Sequence, residues 1–477
     1  MKLSSIARKA GLSTLAFMLA FLASSSLAPV SAANTSSQVS INTAIRYQTI
    51  DGFGFSEAFG RANSMFQAPP AVQQQVLNLL FSPTTGAGFT IVRNIINSDS
   101  SSIEPVSPGS PTAPPNYVWD GVDSGQVWLS QQAQRYGVRR IFADAWSAPG
   151  YMKTNNDQAN GGYLCGSPGA PTCSTGDWRQ AYANYLAKYI QDYQSAGVRI
   201  SNLDFVNESN LSVSYSSMLM TPAQAADFAK VLGPTFARDH LNTQITCCDA
   251  EGWDLAPGFT SAITSDPVAN RYVKVISSHG YTAPPASPLA SDGKHVWESE
   301  WANFNPFDPA WDDGTAASGF TWAQRIYIGL TQANLSAFLH WWGANTSFTN
   351  SGVLYFNNST GTVQPASRLW AFANYSRFIR PGAVRIAATS GNSSLDTSAF
   401  RNVDGTITIV VLNTATSDTP VSFDLGHRTR ADFAVPYLTN ASNNTARQTP
   451  LEVQHGTFNT VVPARSLVTY QLPADRN

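Results

Sequence analysis

Eight short runs rich in β-branched and aromatic residues recur between residues 48 and 342, mostly separated by segments with helical spacing. They are "QTIDGFGF" at 48–55, "FTIVRNII" at 89–96, "RRIFADAW" at 139–146 and "SNLDFVN" at 201–207, then "QITCCDA" from 244, "VKVISSHGY" from 273, "HVWESEW" from 295 and "SAFLHWW" from 336. Their apolarity is nearly continuous rather than alternating, the pattern of strands buried on both faces. A parallel sheet covered by helices buries strands in that way. Eight such runs with crossovers predict an α/β fold, a (β/α)8 barrel over residues 49–380.

The crossovers carry their own signals. "GDWRQAYANYLAKYIQDYQ" sets Trp178, Tyr182, Tyr185, Leu186, Tyr189 and Tyr193 on one helical face. Thr221, Pro222 and Gln224 supply the N-cap, first-turn proline and capping-box residue of a helix over 222–239. "TAPPASPLASDGK" at 282–294 is too rich in proline for a helix, so the sixth crossover is expected to be irregular. After about residue 380 the texture changes to short alternating runs with Asp-Gly and Asn-rich turns, such as "AVRIAATS", "TITIVVLN" and "SLVTYQL". That is antiparallel β, read as a sandwich over 381–477. "SQVSINTAIRYQ" at 37–48 supplies a further strand, so the sandwich is expected to draw on both chain ends.

Lys2, Arg8 and Lys9 precede an apolar run from Leu12 to Leu22, and Val30-Ser31-Ala32 has the small residues of a cleavage site. Residues 1–32 therefore read as a secretory signal, and the chain as extracellular. No later run is long and apolar enough to cross a bilayer. In that compartment Cys165 and Cys173, bracketing the loop "CGSPGAPTC", are expected to pair; adjacent Cys247 and Cys248 either form a vicinal bridge or stay as buried thiols. No His/Cys spacing matches a zinc site, and no cofactor is expected. Charged residues make up 13% of the chain and its net charge is −2, which argues against a nucleic-acid surface. "GFGFSE" imitates a dinucleotide loop until Glu57 takes the third glycine position, and that motif is rejected.

Barrel chemistry sits at the C-terminal ends of strands. There the runs place Asn97, Trp146, Asn207 and Glu208, Asp249, His279 and Tyr281, Glu298 and Glu300, and Trp341 and Trp342. A single strand-end Glu is ordinarily an ion-pair partner. Two of them, on the fourth and seventh runs and among aromatic rings, are the equipment of a retaining glycosidase. One carboxyl protonates the leaving oxygen and the other attacks the anomeric carbon, so the first needs a raised pKa and the second a low one. Alternation puts Glu298 on the same side of its strand as Glu300, making it a rival nucleophile. His279 reads either as a core histidine or as part of the site, and Tyr281 as a phenol able to hold the nucleophile. At least one of Trp146, Trp341 and Trp342 is expected to face sugar.

With "DGFGFSEAF", "ADAWSAPGYMK", "VNES", "SSHGY", "WESEW" and "NYSRFIRPG" in this order, the chain resembles glycoside hydrolase family 30. The resemblance implies a (β/α)8 barrel with a side β-sandwich. It implies that Glu208 is the acid/base, that Asn207 holds the substrate's 2-hydroxyl, and that Glu300 is the nucleophile. "SEAFGRA", "SIEPVSPGSP", "YVWDGVDSGQVWLSQ" and "CCDAEGW" resemble the mainly fungal branch that contains xylanases, some of which recognise glucuronic acid side groups. That makes xylan the expected partner; another specificity of the family (β-xylosidase, β-1,6-glucanase or glucosylceramidase) and a non-catalytic carbohydrate-binding barrel are the alternative readings, and a monomer is expected. Arg61 reads either as a solvated surface charge or, by this resemblance, as the grip on a glucuronate carboxylate, its planar fork matching two oxygens. Ser209 departs from the family, where many relatives carry a proline that stiffens the turn after the acid/base. Asn207-Glu208-Ser209 is also a glycosylation sequon, expected to stay unmodified, whereas Asn334, Asn358 and Asn440 head ordinary surface sequons.

Overall fold

The computed structural model describes residues 36–426 and 431–474; the expected signal segment lies outside the described residues. β1 (Ser37–Thr49) comes first. Eight strands then close on themselves: β2 (Gly52–Ser56), β3 (Ile91–Ile96), β4 (Arg140–Ala145), β5 (Ile200–Asp204), β6 (Gln244–Ala250), β7 (Val273–His279), β8 (His295–Glu300) and β9 (Ala337–Asn345). Each pairs in parallel with its successor, and β9 pairs with β2 to complete the barrel. No helix bridges β7 and β8, as the proline count requires. Pro222–Arg238 is a helix with both halves of the Thr221–Gln224 capping box made.

Two strand ends differ from the sequence reading. Residues 48 and 49 belong to β1, and the barrel strand begins only at Gly52. Ile50 N–H donates to the Ala383 carbonyl, so this stretch is tied to the linker beyond the barrel. A side chain at Gly52 would strike Thr90. The fourth run stops at Asp204 because the Asp204 carboxylate accepts the Phe205 N–H at 2.8 Å and removes it from the ladder. Two further strands, β10 (Gly352–Phe356) and β11 (Val363–Pro365), extend the barrel sheet as a parallel strand and a hairpin partner.

The C-terminal region forms a separate sheet. Its strands are β12 (Val384–Ser390), β13 (Leu395–Arg401), β14 (Ile407–Asn413), β15 (Thr419–Asp424), β16 (Phe433–Asn440), β17 (Asn443–Arg447), β18 (Leu451–Glu452), β19 (Thr457–Val462) and β20 (Ser466–Leu472). β1 lies between β12 and β15, antiparallel to one and parallel to the other, so both chain ends do build it. Its core includes Val39, Ile41, Ile409, Phe423, Phe458 and Tyr470.

Inward positions stack in layers up the barrel. Ile91, Phe142, Val275, Trp297, Ala337 and Leu339 form an apolar layer. Two residues further along the same strands come Arg93, Asp144, Ser277 and Ser299, all buried. Above them Ile95, Trp146, Ala302 and Trp341 cluster around Ala58. The period of two that makes strands alternate thus gives this barrel a charged floor between two apolar layers.

Candidate active site

Strand ends above that floor surround a cleft of about 490 Å³. Its carboxylates are Glu208, Glu251 and Glu300, and its aromatic walls are Phe59, Trp146, Tyr215, Tyr281, Phe304, Trp341 and Trp342, with Leu211 completing the lining. The Trp341 and Trp342 rings stack at 5.1 Å, and Trp146 lies 5.8 Å from Trp341. Among the described residues no Arg, Lys or His lines the cleft.

Glu208 sits in the turn after β5 with φ of 42°, a left-handed conformation that costs a non-glycine residue free energy. The Glu208 N–H donates to the Asp249 carbonyl at 2.8 Å, and Met220 N–H to the Ser209 carbonyl at 3.0 Å. These bonds hold the turn without a proline at 209. One oxygen each from Glu208 and Glu300, and a nitrogen of His279, lie within 4.8 Å of one another. Asn207 is 2% exposed, too enclosed in the folded chain to carry a glycan.

Glu298 and Glu300 do not share a face, contrary to the alternation. Opposite β7, Ser278 pairs with Glu298 but His279 pairs with Glu300, so Ser299 is the extra residue of a β-bulge. Trp297 and Ser299 point into the barrel. Glu298 points out, accepting the Trp253 indole N–H at 2.7 Å. The bulge then turns Glu300 back over the barrel mouth, where Tyr281 Oη donates to Oε1 at 2.7 Å and Arg93 Nη1 donates to Oε2.

Arg93, which the sequence reading passed over, organises the floor. Its guanidinium donates to Asp144, to Asn207 Oδ1 at 2.6 Å and to Asp249 at 2.8 Å, besides Glu300, and lies 4.5 Å from the Trp146 ring centre. An arginine inside an apolar strand run was the available signal, since a fully buried cation must find carboxylates. His279 is fully buried, with Nδ1 3.0 Å from Glu208 Oε1 and Nε2 3.6 Å from Asp249. Burial alone would depress its imidazole, but Glu300, Asp249 and Glu208 together hold it well above the usual range. Its ring nitrogens therefore face the site's carboxylates, and it is not a core histidine satisfied by backbone.

Burial pushes Glu300 above the ordinary carboxylate range, against the pull of His279 and Arg93; Glu208 adds to the push and Tyr281 opposes it. The low value expected of an attacking carboxylate is thus offset by desolvation. Asp144 and Asp204 are raised well above their usual range, by burial first. Asp249 is held low, because Arg93 and His279 outweigh its burial.

Two expected contacts stand outside this lining. Asn97 does not line the cleft; its amide donates to Asp123 at 3.4 Å and its carbonyl accepts from Tyr185. Arg61 also stands outside the lining, its guanidinium 4.0 Å over the Trp342 ring that the cleft does contain. The Cys165–Cys173 disulfide is present, and Cys247 and Cys248 are joined as a vicinal disulfide.

Comparison with known proteins adds the following. Residues 50–299 match the model of the glycosyl hydrolase family 30 TIM-barrel domain, and 382–470 that of the family's β-sandwich domain. The solved catalytic domain of GH30 xylanase C from Talaromyces cellulolyticus is 44% identical, with a TM-score of 0.87 over 92% of this chain and 100% of that one. Endo-1,6-beta-D-glucanase neg1 of Aspergillus fumigatus is 28% identical over 79% of this chain and 80% of its own. Lysosomal acid glucosylceramidase of Mus musculus is 26% identical over 80% and 78%.

Proposed function

Since the chain belongs to glycosyl hydrolase family 30 and is a glycoside hydrolase, we propose that it cleaves β-1,4-xylosidic bonds in xylan with retention of configuration. The carboxylate spacing carries the stereochemical half of this reading. Retaining enzymes hold the pair about 5 Å apart, whereas inverting ones leave roughly 6.5 to 9.5 Å for a water; here the nearest oxygens lie within 4.8 Å. Glu300, gripped by Tyr281 and Arg93, attacks the anomeric carbon as Glu208 gives its proton to the leaving oxygen. Glu208 then takes a proton from the water that releases the glycosyl-enzyme. Asn207, fixed by Arg93, presents its amide to the sugar's 2-hydroxyl, and Trp146 and Trp341 give the ring a flat apolar wall.

The choice of xylan rests on the likeness to the Talaromyces xylanase. A second reading, β-1,6-glucan, is favoured by the endo-1,6-glucanases among the curated relatives. Product analysis on glucuronoxylan, arabinoxylan, linear xylo-oligosaccharides and β-1,6-glucan separates them; release from β-1,6-glucan alone would overturn xylan. The same reading has the chain secreted and active as a monomer. Arg61, beside the Trp342 wall, is the proposed contact for a glucuronate branch.

A further inference from the structure

The opposite end of the barrel carries two adjoining concavities, of about 490 and 450 Å³, that share Asp51, Arg140 and Gln244 in their linings. They lie where strands begin: Arg139 and Arg199 precede β4 and β5, and Lys274 and Lys294 flank the starts of β7 and β8. With Arg140 and Arg380, six cations line this groove against two carboxylates, Asp51 and Asp292.

Little in the fold neutralises them. Among the described residues only Arg140 of the six pairs with a carboxylate, that of Asp51 at 2.8 Å. Arg380, Lys274 and Lys294 donate to backbone carbonyls, which leave their charge in place. The guanidinium groups of Arg139 and Arg199 make no hydrogen bond or ion pair among the described residues. Between the cations stand neutral hydrogen-bonding side chains: Ser201, Asn242 and Gln244. No Trp, Tyr or Phe lines either concavity. Single-stranded nucleic acid binds by stacking on such rings, so it does not suit this groove; an anionic lipid surface, which basic clusters attract without rings, is separated by the test below. Spaced carboxylates on a hydroxyl-rich polymer do suit it.

We propose that this groove is a second binding site, for carboxylated polysaccharide, on the face of the barrel remote from the cleft. Only the choice of a polysaccharide as ligand rests on the glycosidase reading; the charge distribution stands without it. Held at this face, the enzyme would be kept near an acidic matrix while its cleft works on neutral chain.

The test is retardation of the whole protein in native gels containing polygalacturonate, with methyl-esterified polygalacturonate as the uncharged control. The acid polymer should retard the protein, the ester should not, and added salt should abolish the difference as screening shortens to a few ångströms. An Arg139→Gln/Arg199→Gln double variant should bind about tenfold more weakly, one lost charged hydrogen bond or more. Lys274→Gln, in the adjoining concavity, should weaken binding in the same direction. Turnover of a neutral xylo-oligosaccharide should stay unchanged in both variants, so a failure of the groove is read separately from a failure of the cleft. Equal retardation by the ester would overturn the proposal. So would unaltered affinity in both variants, or retention on phosphatidylserine vesicles with none on polygalacturonate.

Discussion

The two ends of the barrel are made by the same eight strands and carry opposite charge. At the C-terminal end the cleft holds three carboxylates, no base and a wall of aromatic rings. At the N-terminal end the groove holds six cations, two carboxylates and none of those rings. Arg93 is the exception that explains the contrast. The cleft has its cation beneath the floor, where it touches Glu300, Asn207, Asp144 and Asp249 and meets no solvent. A cation placed there steadies a reacting carboxylate without offering substrate an ion pair. Cations at the other end are open to solvent and to a ligand.

The largest effect that should separate the ends is loss of Glu300. Glu300→Gln should lower turnover by about 10⁴-fold or more, because no covalent intermediate can form. Glu298→Gln, on the outer side of the bulge, should leave turnover near wild type. Steady-state kinetics of the pair checks this, and a dead Glu298 variant with an active Glu300 variant would reverse the assignment. Glu208→Gln should cost about 10²- to 10⁴-fold on substrates with poor leaving groups. It should cost far less on activated aryl glycosides, where azide should speed the second step. Proton NMR of the first product formed should show the retained anomer; initial inversion would end the double-displacement reading.

Arg93→Met tests the buried cation by pH. Arg93 pulls the Glu300 pKa down, so its removal raises it further and Glu300 stays protonated to higher pH. The acid limb of kcat/KM should therefore move to higher pH. Leaving Asp144, Asp249 and Glu300 without their partner should also cost about 3–5 kcal/mol of stability, read as a fall in Tm. An unmoved limb would mean that Arg93 only fills the floor.

Arg61→Ala should lower turnover of glucuronoxylan by about 10- to 150-fold and of undecorated xylo-oligosaccharides hardly at all, as expected for one charge-assisted contact. If both fall together, Arg61 serves to brace Trp342. The smallest effect belongs to the far end, where Arg199→Gln should change neutral-substrate turnover by less than about twofold, as for an exposed side chain.

The barrel, its missing sixth helix and the strand contributed by residues 37–48 were all legible in the chain. Each depends on local pattern: burial on both faces, proline content, alternation. Glu208 and Glu300 were legible as candidates because strand ends can be found from composition. Asn97 illustrates the limit. It stands at a strand end and belongs to the cleft by that rule, yet its amide turns to Asp123, a partner 26 residues away. The place of Arg61 is likewise set by the fold, which alone brings Trp342 beneath its guanidinium.

The amino-acid order alone determined which eight segments build the barrel and that two glutamates stand where barrel chemistry occurs. Those are consequences of period and composition, which act within a few residues. Tertiary structure decided which glutamate faces the cleft. The parity of Glu298 and Glu300 is identical in the chain, and only the mismatch of β8 against β7 inserts the bulge at Ser299 that separates them. It also decided that a lone arginine in an apolar run should serve four acceptors from four other strands or their ends. A bulge exists only between paired strands, and a buried charge is stabilised only by the groups that closure brings to it.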